Sequence, residues 1–259
     1  MPEFVYDVIR TAWERDGIMS RVRKEYFKGN LKVNFELSAD DAVVHAEGAA
    51  AISPENLELG LVELKPAYIK KVLPITDEIA SMRGEAFLRY VYDELAYRIV
   101  KKAAKELLGK INSASTTASS TAVGVPKIVS TQVTVSLVAQ AMALLSAEAE
   151  NPVIIMNRAT WGAFKTAQAA NGYNYDPFEG LPVVFTNDLT AFSAATTGVA
   201  YAIVGDLDKG AMANFPNGDD VEFIYDDLTR KKEDIVEILG KQYVGLGLVG
   251  PDCFVRITH

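Results

Sequence analysis

The sequence predicts an α+β fold whose parts follow one another along the chain. Three observations carry this. Residues 31–75 read as a long two-stranded β-hairpin, residues 85–108 as one long helix, and the stretch beyond a Ser/Thr-rich crossing as alternating short strands and helices. The chain has 259 residues, enough for one large domain or two modest ones. Apolar residues at 49% and charged residues at 23% exclude wholesale disorder. No apolar run approaches the roughly 18–20 residues of a membrane span. Charges scattered through MPEFVYDVIRTAWERDG exclude a signal peptide there. Cys253 is the single cysteine, so an intrachain disulfide is excluded and a reducing compartment is expected. Two histidines and one cysteine cannot build a Cys/His zinc site in one chain. A net charge of −8 speaks against a general nucleic-acid binder, whose affinity comes from neutralising phosphates.

Each element has its own signal. Phe4, Val8, Ile9 and Trp13 fall at helical spacing, ending at Gly17. Arg21 to Lys28 is locally basic and carries Tyr26 and Phe27. It reads as a solvated arm with two aromatic anchors, the alternative being contact with nucleic acid or a scaffold. Val33, Phe35 and Leu37 alternate with polar residues, as do Leu57, Leu59 and Leu61, which marks strands with one apolar face. DDAVVHAEGAAAISPEN lies between them as a loose tip. A lone hairpin is marginal in water, so this one is expected to rest on a neighbouring subunit.

Phe87, Val91, Leu95, Ile99, Ala103 and Leu107 recur every fourth residue, with Leu88, Tyr92, Ala96, Val100, Ala104 and Leu108 beside them. Early acids, late lysines and a stop at Gly109 complete a helix of about 36 Å, a spine for the fold. NSASTTASSTA over 112–122 marks a subdomain boundary. Beyond it, 131–148 reads as a helix and Pro152–Met156 as a buried strand. Asn157 is placed to cap a helix ending at Asn171-Gly172. Leu181–Phe185, Val199–Val204 and Val221–Tyr225 read as strands. Ile235–Ile257 reads as strands broken by turns at Gly240, Gly245, Gly247 and Gly250.

No catalytic, cofactor or metal site is assigned. Gly245–Gly250 departs from the dinucleotide-loop spacing and has no room for a following βαβ unit. A Walker loop and a nucleophile elbow are absent. Asp40-Asp41, Asp219-Asp220 and Asp226-Asp227 read as solvated turn residues, since neighbours on a strand face opposite ways. Cys253 reads as a buried hydrophobe, Trp13 and Trp161 as packing residues, Arg230-Lys231-Lys232 as a charged loop. His45 lies in the hairpin tip and His259 is terminal. Residue chemistry therefore favours a non-enzyme, and the exposed elements favour assembly.

From Asn151 onward, short motifs in order resemble the Hong Kong 97-like major capsid proteins of tailed bacteriophages. They are Asn151-Pro152-Val153-Ile154-Ile155-Met156-Asn157, Gly180-Leu181-Pro182-Val183-Val184, Ile203-Val204-Gly205-Asp206-Leu207 and Gly250-Pro251-Asp252-Cys253-Phe254-Val255. With the preceding elements the resemblance spans the chain. It implies an N-arm over 1–30, an E-loop over 31–75, a P-domain with the spine helix over 76–115, an A-domain over 116–235, and strands at 236–259 returning to the P-domain. It also implies a virion location, assembly in the bacterial host cytoplasm, and hexamers and pentamers closing as an icosahedral shell around double-stranded DNA without sequence-specific binding. The partners implied are further copies of the chain, a separate scaffolding protein, a portal and decoration proteins, with no membrane and no cofactor.

Two departures from the family pattern matter. The chain begins almost at the N-arm, which points to a separate scaffold, a processed form or a trimmed chain. Residues 38–64 contain no lysine, so no covalent crosslinking of neighbours is expected; Lys65, Lys70 and Lys71 lie at the base of the loop. The competing readings are an encapsulin-type nanocompartment shell with protein cargo, a soluble α/β enzyme with an unrecognised site, and another self-assembling component such as a tail or surface-layer protein.

Overall fold

The computed structural model describes residues 8, 11–39, 57–172, 174, 176–178, 180–218 and 220–259, without the side chains of residues 77 and 79–86. The expected hairpin tip, with Asp40, Asp41 and His45, lies outside the described residues, as does Asp219.

Residues 11–15 are helical (α1), and a 3-10 turn follows at Met19–Arg21. Val8, Ala12, Trp13, Ile18, Met19 and Val22 are all buried in the main core. Strand β1 (Arg23–Glu25) then pairs in parallel with β9 (Ala211–Asn214). Residues 21–28, expected as a solvated arm, are therefore tied down through Val22 and the β1–β9 pairing, and the apolar residues just before them supply the buried surface that holds this end to the body. Tyr26 and Phe27 remain exposed.

Strands β2 (Leu31–Ala39) and β3 (Leu57–Leu64) pair antiparallel from Leu31 opposite Leu64 to Ala39 opposite Leu57, with a register shift between Glu36 and Ser38. Phe35 lies across from Gly60, where an added Cβ would meet the ring at 2.2 Å. Only glycine leaves room for that aromatic. Strand β4 (Ala67–Thr76) leaves the hairpin and pairs with β11 (Ile235–Leu248).

Helix α2 runs Asp77–Ser113, 37 residues and roughly 55 Å. It continues through Gly109, which the periodicity had suggested as its end. Gly109 faces open space, while the fourfold row runs on to a fully buried Ile111. Burying that side chain outweighs the roughly 1 kcal/mol that a helical glycine costs.

The expected helix over 131–148 shortens to α3 (Leu137–Ala143). The β-branched Val133, Thr134 and Val135 ahead of it disfavour helix, and Ser146 N–H is drawn to Asp252 O at 2.9 Å behind it. Strands β5 (Lys127–Val129), β12 (Phe254–Thr258), β8 (Ala200–Gly205), β6 (Val153–Met156) and β7 (Val183–Phe185) form one sheet in that order. It is covered on both faces. Val153 and Ile155 enter the main core, whereas Ile154 and Met156 enter a second core with Phe164, Phe178 and Tyr201. That explains the unbroken apolar run of β6. Helix α4 (Arg158–Ala170) starts where Asn157 Oδ1 accepts Ala159 N–H at 3.0 Å, and a short helix α5 (Leu207–Gly210) follows β8.

Strand β11 joins the layers. Its first ten residues pair with β4, its last four with β9, and β10 (Glu222–Asp226) lies on its other side. The glycines expected to break it do not. Gly247 instead lets the strand press on the hairpin base, since a Cβ there would lie 2.8 Å from Leu64 Cγ. β11 packs along α2, while β12 inserts between β5 and β8. All five residues of β12 are buried, and only a central sheet position buries both faces of a strand.

Candidate assembly surfaces

The residues singled out for chemistry are placed in structural roles. Cys253 is buried, and burial pushes its thiol up to about 11, far from a reactive thiolate. Asp226 accepts Leu228 and Thr229 N–H at 2.9 and 3.0 Å and the Thr229 hydroxyl, which hold its carboxyl below the usual range. Arg230 pairs with Glu233 and Glu237. Trp13 packs edge-on against Phe215 at 5.2 Å, under the Lys24 ammonium. Trp161 sits against Phe185. His259 stacks near Phe192 at 5.7 Å. The structure brings none of these together. Among the described residues no cluster of His, Cys, Asp and Glu could hold a metal ion, and no helix is long and apolar enough to cross a membrane.

Two buried polar residues pin the layers, Asp206, which the sequence marked only as part of a family motif, and Arg256, which it did not mark. Asp206 is buried. Its carboxylate caps α5 through Asp208 N–H at 2.9 Å and Lys209 N–H at 3.4 Å, and also accepts Asn151 N–H at 2.9 Å. This is the physical content of the Gly205-Asp206-Leu207 turn. Arg256, 7% exposed, reaches from β12 to donate to Asn112 O at the end of α2 and to Val125 O at 3.2 Å. Burial lowers its pKa. A lone arginine in a strand of apolar residues was the only signal for it.

The surface has more to say. On β3, Gly60, Val62 and Leu64 face the core, and the alternate row Leu57, Leu59 and Leu61 is 60%, 57% and 39% exposed. The β4–β11–β10 layer packs one face on α2 through Ile75, Ile238, Val91 and Leu95. Its other face carries Val72, Leu239 and Ile224 in register across three strands. Between β4 and α2 opens a groove of about 480 Å³ lined by Lys65, Lys70, Lys102 and Lys110 over Ile69, Val244 and Leu246. Apolar side chains exposed in rows of this kind suit contact with other molecules.

The comparisons agree in kind. The model of the phage capsid family matches residues 1–259. No curated relative matches the sequence. The fold is similar to the capsid of an empty GTA particle, with TM-score 0.70, 14% identity, and 93% of this chain and 88% of that one covered. It is similar to a chain from Mycobacterium phage Bobi, with TM-score 0.64, 13% identity and coverage of 94% and 90%. A virus-like particle from Pyrococcus furiosus matches with TM-score 0.61, 12% identity and coverage of 98% and 96%. The chain belongs to the phage capsid family and has the Hong Kong 97-like fold of a major capsid protein.

Proposed function

We propose that this chain is the shell subunit of a tailed-phage head, assembling into hexamers and pentamers that close around double-stranded DNA. The observation that carries this is the outer row of β3, where Leu57, Leu59 and Leu61 are exposed on a two-stranded hairpin. Such a row in a monomer is an aggregation hazard, whereas under a neighbour it is an interface. The work of the protein is then mechanical, with no catalytic step. In this reading 1–30 is the N-arm, 31–75 the E-loop, 76–115 the spine region and 116–235 the A-domain, which β12 completes. Assembly in the host cytoplasm with a separate scaffold, a portal and decoration proteins belongs to the same reading.

Electron microscopy of the purified chain tests it, with nucleic acid measured in any particle. Closed shells holding DNA support the reading. Shells holding a protein cargo and no DNA favour a nanocompartment, and a monomer at every concentration refutes assembly. Leu57→Lys with Leu59→Lys should abolish particles. It should leave the subunit's unfolding midpoint nearly unchanged, because surface substitutions usually stay within about 0.5 kcal/mol.

A further inference from the structure

The β4–β11–β10 layer is oppositely charged at its two edges. Residues 65–76, which include β4, hold Lys65, Lys70 and Lys71 and no carboxylate. Lys65 and Lys70 share their groove with Lys102 and Lys110. Glu106 is the carboxylate that lines it, already paired with Lys102 at 2.5 Å, and Glu63 pairs with Lys65 at 3.2 Å. The groove keeps a net positive charge in a chain of net charge −8. Residues 220–228, which include β10, hold Asp220, Glu222, Asp226 and Asp227 and no lysine or arginine; of the cations that follow, Arg230 is held by Glu233 and Glu237, and Lys231 lines a pocket with Asp227 and Asp234, so the edge stays net acidic. Glu222 pairs with Lys241 and Asp226 caps its turn. Apolar side chains accompany both charges, Tyr68 and Val72 at the first edge and Ile224, Tyr225 and Leu228 at the second. Because β11 lies between them, the two edges of one copy face apart.

We infer that the acidic β10 edge of one copy docks against the basic β4 groove of the next, head to tail. A twofold contact would set like charge on like charge, which a desolvated interface strongly disfavours. A head-to-tail contact satisfies both edges and, repeated, closes a ring. Lysines on flexible stems tolerate the change of angle between rings of five and six. This inference rests on the capsid reading and names the surfaces that join neighbours within a ring.

Charge reversal tests it. Lys70→Glu with Lys110→Glu makes both edges acidic; Asp220→Lys with Asp227→Lys leaves Asp226 as the β10 carboxylate that no cation offsets, since Lys241 already offsets Glu222, and so turns that edge net positive and both edges basic. Each variant alone should keep its unfolding midpoint and need at least about tenfold more protein to assemble. The chain with all four substitutions should assemble like the parent. An equimolar mixture of the two variants should form rings of six and no rings of five, because an odd ring must contain one like-charged contact. The neutral pair Lys70→Gln and Lys110→Gln should raise the onset concentration and weaken its salt dependence. Parent-like assembly of each variant alone, or failure of both the four-site chain and the mixture while folded, overturns the inference. A parent chain that forms no oligomer at any concentration overturns the capsid reading as well.

Discussion

Replacing Arg256 by methionine keeps most of the stem and removes the guanidinium. In the native chain that group ties β12 to the last turn of α2 through Asn112 O, and to the following loop through Val125 O. Hydrogen bonds from a charged donor contribute roughly 1.5–3 kcal/mol each, so two give about 3–6 kcal/mol gross. Burying the charge offsets part of this, since among the described residues no carboxylate is paired with it and its Nε has no partner. The net expected loss is about 2–4 kcal/mol. In a chain of this size that lowers the melting temperature by roughly 4–16 °C. The assay is urea unfolding of the unassembled subunit, followed by the fluorescence of Trp13 and Trp161. A loss below about 0.5 kcal/mol would show that desolvation cancels the bonds and that Arg256 does not pin the layers. Arg256→Lys separates the two effects. It keeps the charge, forfeits the forked geometry, and should recover less than half of the loss.

Other consequences follow from the packing. Gly60→Val would drive its Cβ into the Phe35 ring, so about 1–3 kcal/mol of local stability should go, read as faster amide exchange in β2 and β3 with the sheet around β6 unchanged. Asp206→Ala strands three N–H groups, a loss of about 2–4 kcal/mol in the same urea experiment, and Asp206→Asn should recover part of it. Cys253 should resist a thiol reagent at pH 8 until the chain unfolds. Its folded pKa of about 11 exceeds the ordinary thiol value of 9.0, so the buried neutral thiol favours the native state below pH 9. Between pH 9 and pH 11 the unfolded chain ionises first, and stability should fall by up to roughly 1.4 kcal/mol per pH unit; Cys253→Ala should flatten that limb.

Periodicity alone determined the elements whose packing is local in sequence. The fourfold rows of α2 and the continuous apolar run of β6 each announce which faces are buried, because the spacing of apolar side chains must match the geometry of the element. The Asn157 cap is equally local. The order of short motifs added the family, which no single motif could carry. Tertiary structure decided what depends on contacts distant in sequence. Leu57, Leu59 and Leu61 have the pattern of a core face, yet the row between them is the one buried, because Gly60 must take the Phe35 ring. Gly247 looked like a break in a strand and is instead the place where β11 meets Leu64. Asp206 and Arg256 carry no periodic signal; Asp206 caps α5 locally, but the Asn151 N–H it also accepts is 55 residues away and the Asn112 carbonyl on Arg256 is 144 away, and only the folded chain brings those groups within hydrogen-bond reach. The opposite charges of β4 and β10 are written in the sequence, but their separation onto the two edges of one layer is the work of β11, which pairs with both.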